Sequence, residues 1–208
     1  MRTRYGTIHL RDNFGDVTNL PDLFYRNVYG CRTLTGDGVI LDVGANIGLF
    51  AARAASVNAG KKIFCFEPLP HNAKLIPLNC PGATVCCACV GARPGKVKLQ
   101  VDAQDIMASS IPTRWETGER EFEVVTLDGY ARENGIGELA FLKLDTEGME
   151  LEVLEGGRQT LQRTREIAME THGEEKHHAA LSRLHESGFT IESEKFDGRT
   201  GLVHAIRR

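Results

Sequence analysis

Apolar residues along this chain fall into two rhythms that take turns. Val39-Ile40-Leu41-Asp42-Val43, Ile63-Phe64-Cys65-Phe66-Glu67 and the run from Thr84 to Val90 are short, nearly continuous apolar segments, the pattern of strands buried on both faces. Between them, residues about 47–57 and 70–78 carry helical spacing. The same alternation returns later: Leu139 to Asp145 reads as a strand, Met149 to Leu161 as a helix with Met149, Val153, Leu154 and Leu161 on one stripe, and Glu166 to His172 as a further strand. A helix over about 174–187 is stopped by Gly188. Strands alternating with helices predict an α/β protein built on a parallel sheet with helices on both faces.

Three stretches depart from this rhythm. Leu20 to Val28 predicts a short helix with Pro21 near its first turn, placed to lie over a cofactor site. Residues 96–127 alternate in period two at Lys96 to Val101 and at Glu121 to Leu127, which predicts an inserted antiparallel pair joined by a long loop. That loop, Asp102 to Arg120, is rich in Ser, Thr and charge and carries the only tryptophan, Trp115; Ser109, Ser110, Arg114 and Trp115 are weaker candidates for contacts to a substrate. At the end, Phe189 to Phe196 and Gly201 to Ile206 flank Asp197-Gly198, a hairpin signal.

The 208 residues are read as a single domain, with 1–37 as an N-terminal cap segment. A formal charge of −3 gives no excess of basic residues to hold a polyanion, which argues against nucleic acid as the partner. Charges from Arg2 to Asp22 interrupt any secretory apolar run, and no stretch reaches a membrane span of ~18 residues. The chain therefore reads as cytoplasmic, and its six cysteines as reduced thiols. Cys86-Cys87-Ala88-Cys89 matches a C-x-x-C spacing, but in a strand Cys87 and Cys89 share one face while Cys86 takes the other, a poor arrangement for tetrahedral zinc.

Candidate chemistry starts at Gly44-Ala45-Asn46-Ile47-Gly48, a tight turn between a strand and a helix. Glu67 ends the next strand, nineteen residues past Gly48, close to the ~20 expected for an acid that accepts hydrogen bonds from a ribose. A nicotinamide site prefers glycine at the middle of such a turn, so that the backbone can approach a pyrophosphate. Asn46 stands there instead, and no Gly-Lys-Ser or Gly-Lys-Thr follows. S-adenosylmethionine, which has a ribose and no phosphate, fits these residues better.

The blocks Leu41-Asp42-Val43-Gly44-Ala45-Asn46-Ile47-Gly48, Phe66-Glu67-Pro68 and Phe141-Leu142-Lys143-Leu144-Asp145-Thr146-Glu147-Gly148-Met149-Glu150 together resemble the FkbM family of S-adenosylmethionine-dependent methyltransferases. The resemblance runs from about Gly38 to about His172, and its Lys-x-Asp-x-Glu-Gly segment is the most specific part. It implies a Rossmann-like three-layer α/β/α sandwich with a seven-stranded sheet whose last strand is antiparallel. It also implies methyl transfer to a hydroxyl of a small-molecule acceptor such as a sugar or natural product. Donor contacts are expected from Asp42, Gly44, Ala45, Asn46, Gly48, Glu67, Pro68, Val90, Gly91 and Asp145.

Catalytic groups are sought at the carboxyl ends of the strands, where open α/β sheets bind ligands. His172 is placed first as the base, because an imidazole of ordinary pKa accepts a proton near neutrality; Asp145 and Glu147 are the other bases. A divalent metal held by Asp145, Glu170 and His172 is an alternative that is not favoured. Lys143 is read as an ion-pair partner with a catalytic role left open beside it, while Glu150, Glu152, Glu155, His177, His178 and His185 are read as solvated helix positions. Two rival functions stay open at this point, an NAD-dependent oxidoreductase and a non-catalytic S-adenosylmethionine-binding protein.

Overall fold

A computed structural model of the chain describes residues 1–3, 6–12, 14–102, 107–110 and 116–208. A two-stranded ribbon of β1 (Arg2–Thr3) and β2 (Gly6–Thr7) leads into α1 (Phe14–Leu20) and a π-helical turn (Pro21–Arg26). There follow β3 (Val39–Val43), α2 (Leu49–Val57), β4 (Ile63–Phe66), α3 (Pro70–Ala73), α4 (Ile76–Asn79), β5 (Thr84–Cys86) and β6 (Cys89–Val90). The middle of the chain forms β7 (Gly95–Asp102), β8 (Ala108–Ser109), β9 (Glu116–Val125), α5 (Leu127–Glu133) and β10 (Leu139–Leu144). The last part forms α6 (Glu150–Gly156), α7 (Arg158–Leu161), β11 (Thr164–His172), α8 (Glu174–Glu186), β12 (Thr190–Phe196) and β13 (Thr200–Ile206).

The main sheet has seven strands in the order β12-β13-β11-β10-β3-β4-β5. Strands β11, β10, β3, β4 and β5 are parallel neighbours, and β13 runs antiparallel to both β11 and β12. The seven strands, mostly parallel with a terminal hairpin, agree with the sequence. Register explains the two hydrophobic layers, because side chains alternate between faces along each strand. Leu41, Val43, Leu142, Leu144, Ile167 and Met169 pack on one face with Val153 of α6 and Leu184 of α8. Ile40, Cys65, Phe141 and Ala168 pack on the other with Phe50, Ala51 and Ala54 of α2.

That second face also carries the polar strand ends. Asp42 pairs in register with Lys143 and Lys143 with Ala168. Stepping on by two along each strand therefore brings Asp145, Glu170 and His172 to the same face as Lys143.

The inserted segment is larger than a pair. Antiparallel β7 and β9 are as the alternation predicts, but β8 joins one side and β6 the other, giving a four-stranded sheet β6-β9-β7-β8. The predicted strand from Thr84 to Val90 is thus divided between two sheets, breaking at Cys87-Ala88. With the break, Cys87 is exposed and Cys89 buried, so the two do not share a face as expected; all six cysteines are free thiols. Arg114 and Trp115 lie outside the described residues.

Further differences have local causes. Helix α1 starts at Phe14 rather than Leu20, and Pro21, which has no N–H to donate, marks its change to a π-helical turn. Pro77 likewise divides the expected helix 70–78 into α3 and α4. The helix expected from Met149 to Leu161 breaks at Gly156-Gly157; a Cβ on Gly156 would lie 2.0 Å from the Gly91 carbonyl oxygen, so close approach of two backbones dictates glycine there. Period-two alternation concealed α5, which Thr126 caps by accepting from the Gly129 N–H at 3.0 Å.

His178 and His185 are exposed on α8 as expected, but His177 is fully buried. Its ring stacks on Phe196, with Nδ1 2.7 Å from Thr171 Oγ1 and Nε2 2.9 Å from Glu194 Oε1. The imidazole thereby fastens the end of β11 to the terminal hairpin. Among the described residues no helix is long and apolar enough to cross a membrane.

Candidate active site

The turn after β3 is shaped by contact with a neighbouring strand end. Gly44 has φ +76°, and a Cβ added to it would stand 1.7 Å from the carbonyl oxygen of Asp145. Its N–H and that of Ala45 both donate to the Phe66 carbonyl, at 3.0 and 2.9 Å. Asn46 adopts the left-handed region at φ +50°, and its N–H donates to Glu67 Oε2 at 2.9 Å. The other oxygen of Glu67 accepts from the Leu69 N–H at 3.0 Å and from Asn72 Nδ2 at 3.2 Å. Burial pushes the Glu67 carboxyl up in pKa, against the pull of those donors. Turn and acid are thus one hydrogen-bonded unit, and Asn72 extends it to Arg11 and Asp16 of the N-terminal segment.

Two cavities open along this unit. The first, of about 260 Å³, is lined by the polar Asn46, Glu67 and Asn72 and by the apolar Val90, Leu99 and Met149. The second, of about 300 Å³, is walled by Asp22, Tyr29, Lys143, Asp145, Glu147 and Glu170. They share Asp16, Asn19, Gly44, Asn46, Asp145 and Glu147. Asp16 and Asn19 of α1 line both cavities, whereas Asp22, Leu23 and Val28 line only the second, so the segment from Leu20 to Val28 lies over that cavity and not over the first.

Of the residues singled out as donor contacts, Gly44, Asn46, Glu67, Pro68, Val90 and Asp145 line the first cavity and Ala45 the second. Asp42, Gly48 and Gly91 line neither. Asp42 is fully buried beneath the floor, with Lys143 Nζ 3.3 Å from its Oδ1. Lys143 also donates to the Gly44 carbonyl at 2.6 Å and lies 3.7 Å from Asp145 Oδ2, the ion-pair role expected of it. Burial works against the ammonium, but Asp42 and Asp145 outweigh it and raise the pKa of Lys143.

The catalytic candidates come together around Glu147. His172 Nε2 lies 3.4 Å from Glu147 Oε2 and 3.8 Å from Glu170 Oε1. Ligand atoms of Asp145, Glu147 and His172 all fall within 4.8 Å of one another, so the trio able to hold a metal contains Glu147 where the sequence suggested Glu170. Glu147 is itself left-handed at φ +52°. Its carbonyl is held by Ser109 Oγ, Ser110 Oγ and the Ser110 N–H, at 3.1, 3.2 and 3.1 Å. Ser109 and Ser110 thus reach the site by pinning Glu147 from the inserted sheet.

Glu150 corrects an expectation, being only 1% exposed. Its Oε1 accepts from the Gly148 N–H and Thr146 Oγ1 and lies 3.1 Å from His172 Nδ1. An acid in the first turn of a helix is a signal that could have revealed it. Tyr29 was missed too, and nothing in its irregular sequence surroundings marks it. Its hydroxyl lies 2.9 Å from Asp145 Oδ2 and 3.1 Å from Glu170 Oε2.

Charge crowding sets the protonation of these groups. Burial first, and the charge of Asp145 next, raise Glu147 and Glu170 to about 7. Burial works to lower the pKa of His172, but the Glu150 hydrogen bond and the charges of Glu147 and Glu150 outweigh it and raise the imidazole to about 9. Such an arrangement can bind a cationic group, take up one proton near neutrality and orient a hydroxyl.

A glycine turn after the first parallel strand, an acid at the end of the second and this strand order define a class I S-adenosylmethionine-dependent methyltransferase fold. The fold is similar to that of precorrin-6y C5,15-methyltransferase from Geobacter metallireducens, with a TM-score of 0.53 at 14% identity over 88% of this chain and 87% of that one. It is also similar to M. capricolum TrmK in complex with S-adenosyl-homocysteine, with a TM-score of 0.53 at 10% identity over 88% of this chain and 67% of that one. Residues 42–191 match the methyltransferase FkbM domain, and the chain belongs to that family. It is a methyltransferase, with S-adenosylmethionine as donor, and the oxidoreductase and non-catalytic readings fall away. Among characterised proteins it is 26% identical over 166 residues to the 2-O-methyltransferase NoeI of Sinorhizobium fredii, covering 70% of this chain and 68% of that protein.

Proposed function

We propose that this enzyme methylates a hydroxyl of a small polyhydroxylated acceptor, a sugar or a natural product. The observation that carries the reading is the meeting of two cavities at Gly44, Asn46, Asp145 and Glu147. The first suits the donor: Glu67 accepts from the ribose hydroxyls, the apolar wall around Val90 and Leu99 takes the adenine, and the Gly44 to Gly48 turn takes the methionine end. The second suits the acceptor, whose hydroxyl meets the donor's methyl group at the shared wall. Similarity to an O-methyltransferase supports oxygen as the atom methylated.

The sulfonium is already electrophilic, so the protein's task is alignment and removal of one proton. The acceptor oxygen forms a bond to the methyl carbon, the carbon–sulfur bond breaks, S-adenosylhomocysteine leaves, and the hydroxyl proton passes to a carboxylate. Glu147, with a pKa of about 7, is the group suited to receive it. His172, charged up to about pH 9 in this site, is suited to balance the carboxylates rather than to be the first base. Six free thiols accord with work in the cytoplasm.

A second reading is favoured by one observation, the 4.8 Å grouping of Asp145, Glu147 and His172. A divalent cation held there would orient and acidify the hydroxyl. Chelation followed by addition of Mg²⁺ or Mn²⁺ separates the two: turnover lost and then restored supports the cation, and turnover unaffected supports Glu147 alone.

The main reading is tested with labelled S-adenosylmethionine and a panel of neutral sugars, polyketides and peptides, the product being analysed by mass spectrometry. We expect methyl on oxygen, and at least a hundredfold loss of turnover in Glu147→Gln with S-adenosylhomocysteine binding retained. Methyl found on nitrogen or carbon, or full turnover in Glu147→Gln, would overturn it.

A further inference from the structure

Tyr29 is 7% exposed and reaches the second cavity from the N-terminal segment. Its ring packs edge-on against Phe50, with centroids 5.7 Å apart, and Lys143 Nζ lies 5.4 Å from its centre. A buried tyrosine hydroxyl needs a hydrogen-bond partner, and a backbone carbonyl would serve. Here it meets two carboxyl groups, Asp145 Oδ2 just past the end of β10 at 2.9 Å and Glu170 Oε2 on the neighbouring parallel β11 at 3.1 Å. Both side chains are partly open to the cavity, at 24% and 31% exposure. The single hydroxyl proton goes to one carboxylate and the tyrosine oxygen accepts from the other when that carboxyl is protonated, so the hydroxyl between them decides how far apart the two groups stand and which oxygens face outward.

We propose that Tyr29 is a positioning residue for methyl transfer: its hydroxyl fixes the Asp145–Glu170 pair at the acceptor cavity and fastens the N-terminal segment to it. The proposal rests on the reading of the second cavity as the acceptor site. Tyr29 and Glu170 line that cavity and not the first, while Asp145 lines both and keeps its contact with Lys143, so the larger effect of losing the hydroxyl falls on alignment of the acceptor. The alternative is a tyrosine that only fills space between Phe50 and the sheet, and this assigns no role to the hydroxyl.

The test compares Tyr29→Phe, which keeps the ring, with Tyr29→Leu, which loses it. Thermal unfolding confirms that each variant folds, and calorimetry measures binding of S-adenosylhomocysteine. Carboxyl-carbon NMR of Asp145 and Glu170, recorded with S-adenosylhomocysteine bound, needs no acceptor. In Tyr29→Phe we expect donor binding within about twofold of wild type, both carboxyl resonances displaced, and kcat about ten- to a hundredfold lower with the KM for S-adenosylmethionine unchanged. Unmoved resonances, unchanged kcat, or a loss confined to Tyr29→Leu would overturn the proposal. If the wild-type enzyme methylates no hydroxyl in the panel, the acceptor reading fails by itself and the NMR comparison still decides the role of Tyr29.

Discussion

Glu150 Oε1 lies 3.1 Å from His172 Nδ1, and because an ionised carboxylate can only accept, that nitrogen must carry a proton. Burial pushes Glu150 up in pKa, but the His172 hydrogen bond and the Gly148 N–H outweigh it, and the acid is held below its ordinary range. The ring is thereby presented to the site through Nε2, in the way a carboxylate orients a histidine at many catalytic centres.

Replacing Glu150 by Gln should lower the pKa of His172 from about 9 toward its ordinary value, as read from the imidazole proton resonances across a pH titration. A pKa raised in the folded state means a stabilising contribution that is complete below the unfolded value of ~6.5 and lost as pH rises through about 9. The unfolding midpoint of the wild type should accordingly fall between pH 7 and 9, and that of Glu150→Gln should fall less. Identical pH profiles would refute the coupling.

Lys143 and Asp42 form an ion pair almost out of contact with water, at 4% and 0% side-chain exposure. Lys143→Met should cost about 3–5 kcal/mol, because it leaves a buried carboxylate without its counter-charge. Adding Asp42→Asn should recover part of that loss. Urea denaturation of the two single variants and the double variant measures the interaction, and strictly additive losses would show that the pair is not coupled.

Gly44 and Gly156 are both held by an approaching backbone oxygen. Gly44→Ala also requires φ +76° of an alanine, so about 3 kcal/mol or more of stability should be lost; Gly156→Ala, free of the dihedral penalty, should lose less. Denaturation midpoints check the order, and a stable Gly44→Ala would mean that the turn can relax away from Asp145.

Strand ends and the glycine turn were legible because hydrophobic rhythm shows where each strand stops, so Asp145, Glu170 and His172 could be grouped without coordinates, whereas Asp42, expected to touch the donor, lies buried under Lys143. Glu67 was likewise readable from its spacing alone. What period and spacing leave out is contact between distant segments. Tyr29 stands in an irregular stretch, and its partners are 116 and 141 positions away. Glu150 was misread because a helical wheel sorts residues by face, whereas its place is set by the turn before the helix, whose N–H groups and imidazole it satisfies. The strand over Thr84 to Val90 looked continuous because apolar content does not reveal that a run changes sheets at Cys87.

Ser109 and Ser110 hold Glu147, Tyr29 holds Asp145 and Glu170, and Thr171 is tied through His177 to Glu194. These fastenings draw on distant stretches of sequence, so no local unit of folding owns the clustered carboxylates and imidazole. Partial opening of the N-terminal segment, the inserted sheet or the terminal hairpin should each silence turnover before the main sheet melts. Methyl transfer would then report the cooperative integrity of the whole molecule, with activity fading on heating or denaturant ahead of the loss of secondary structure.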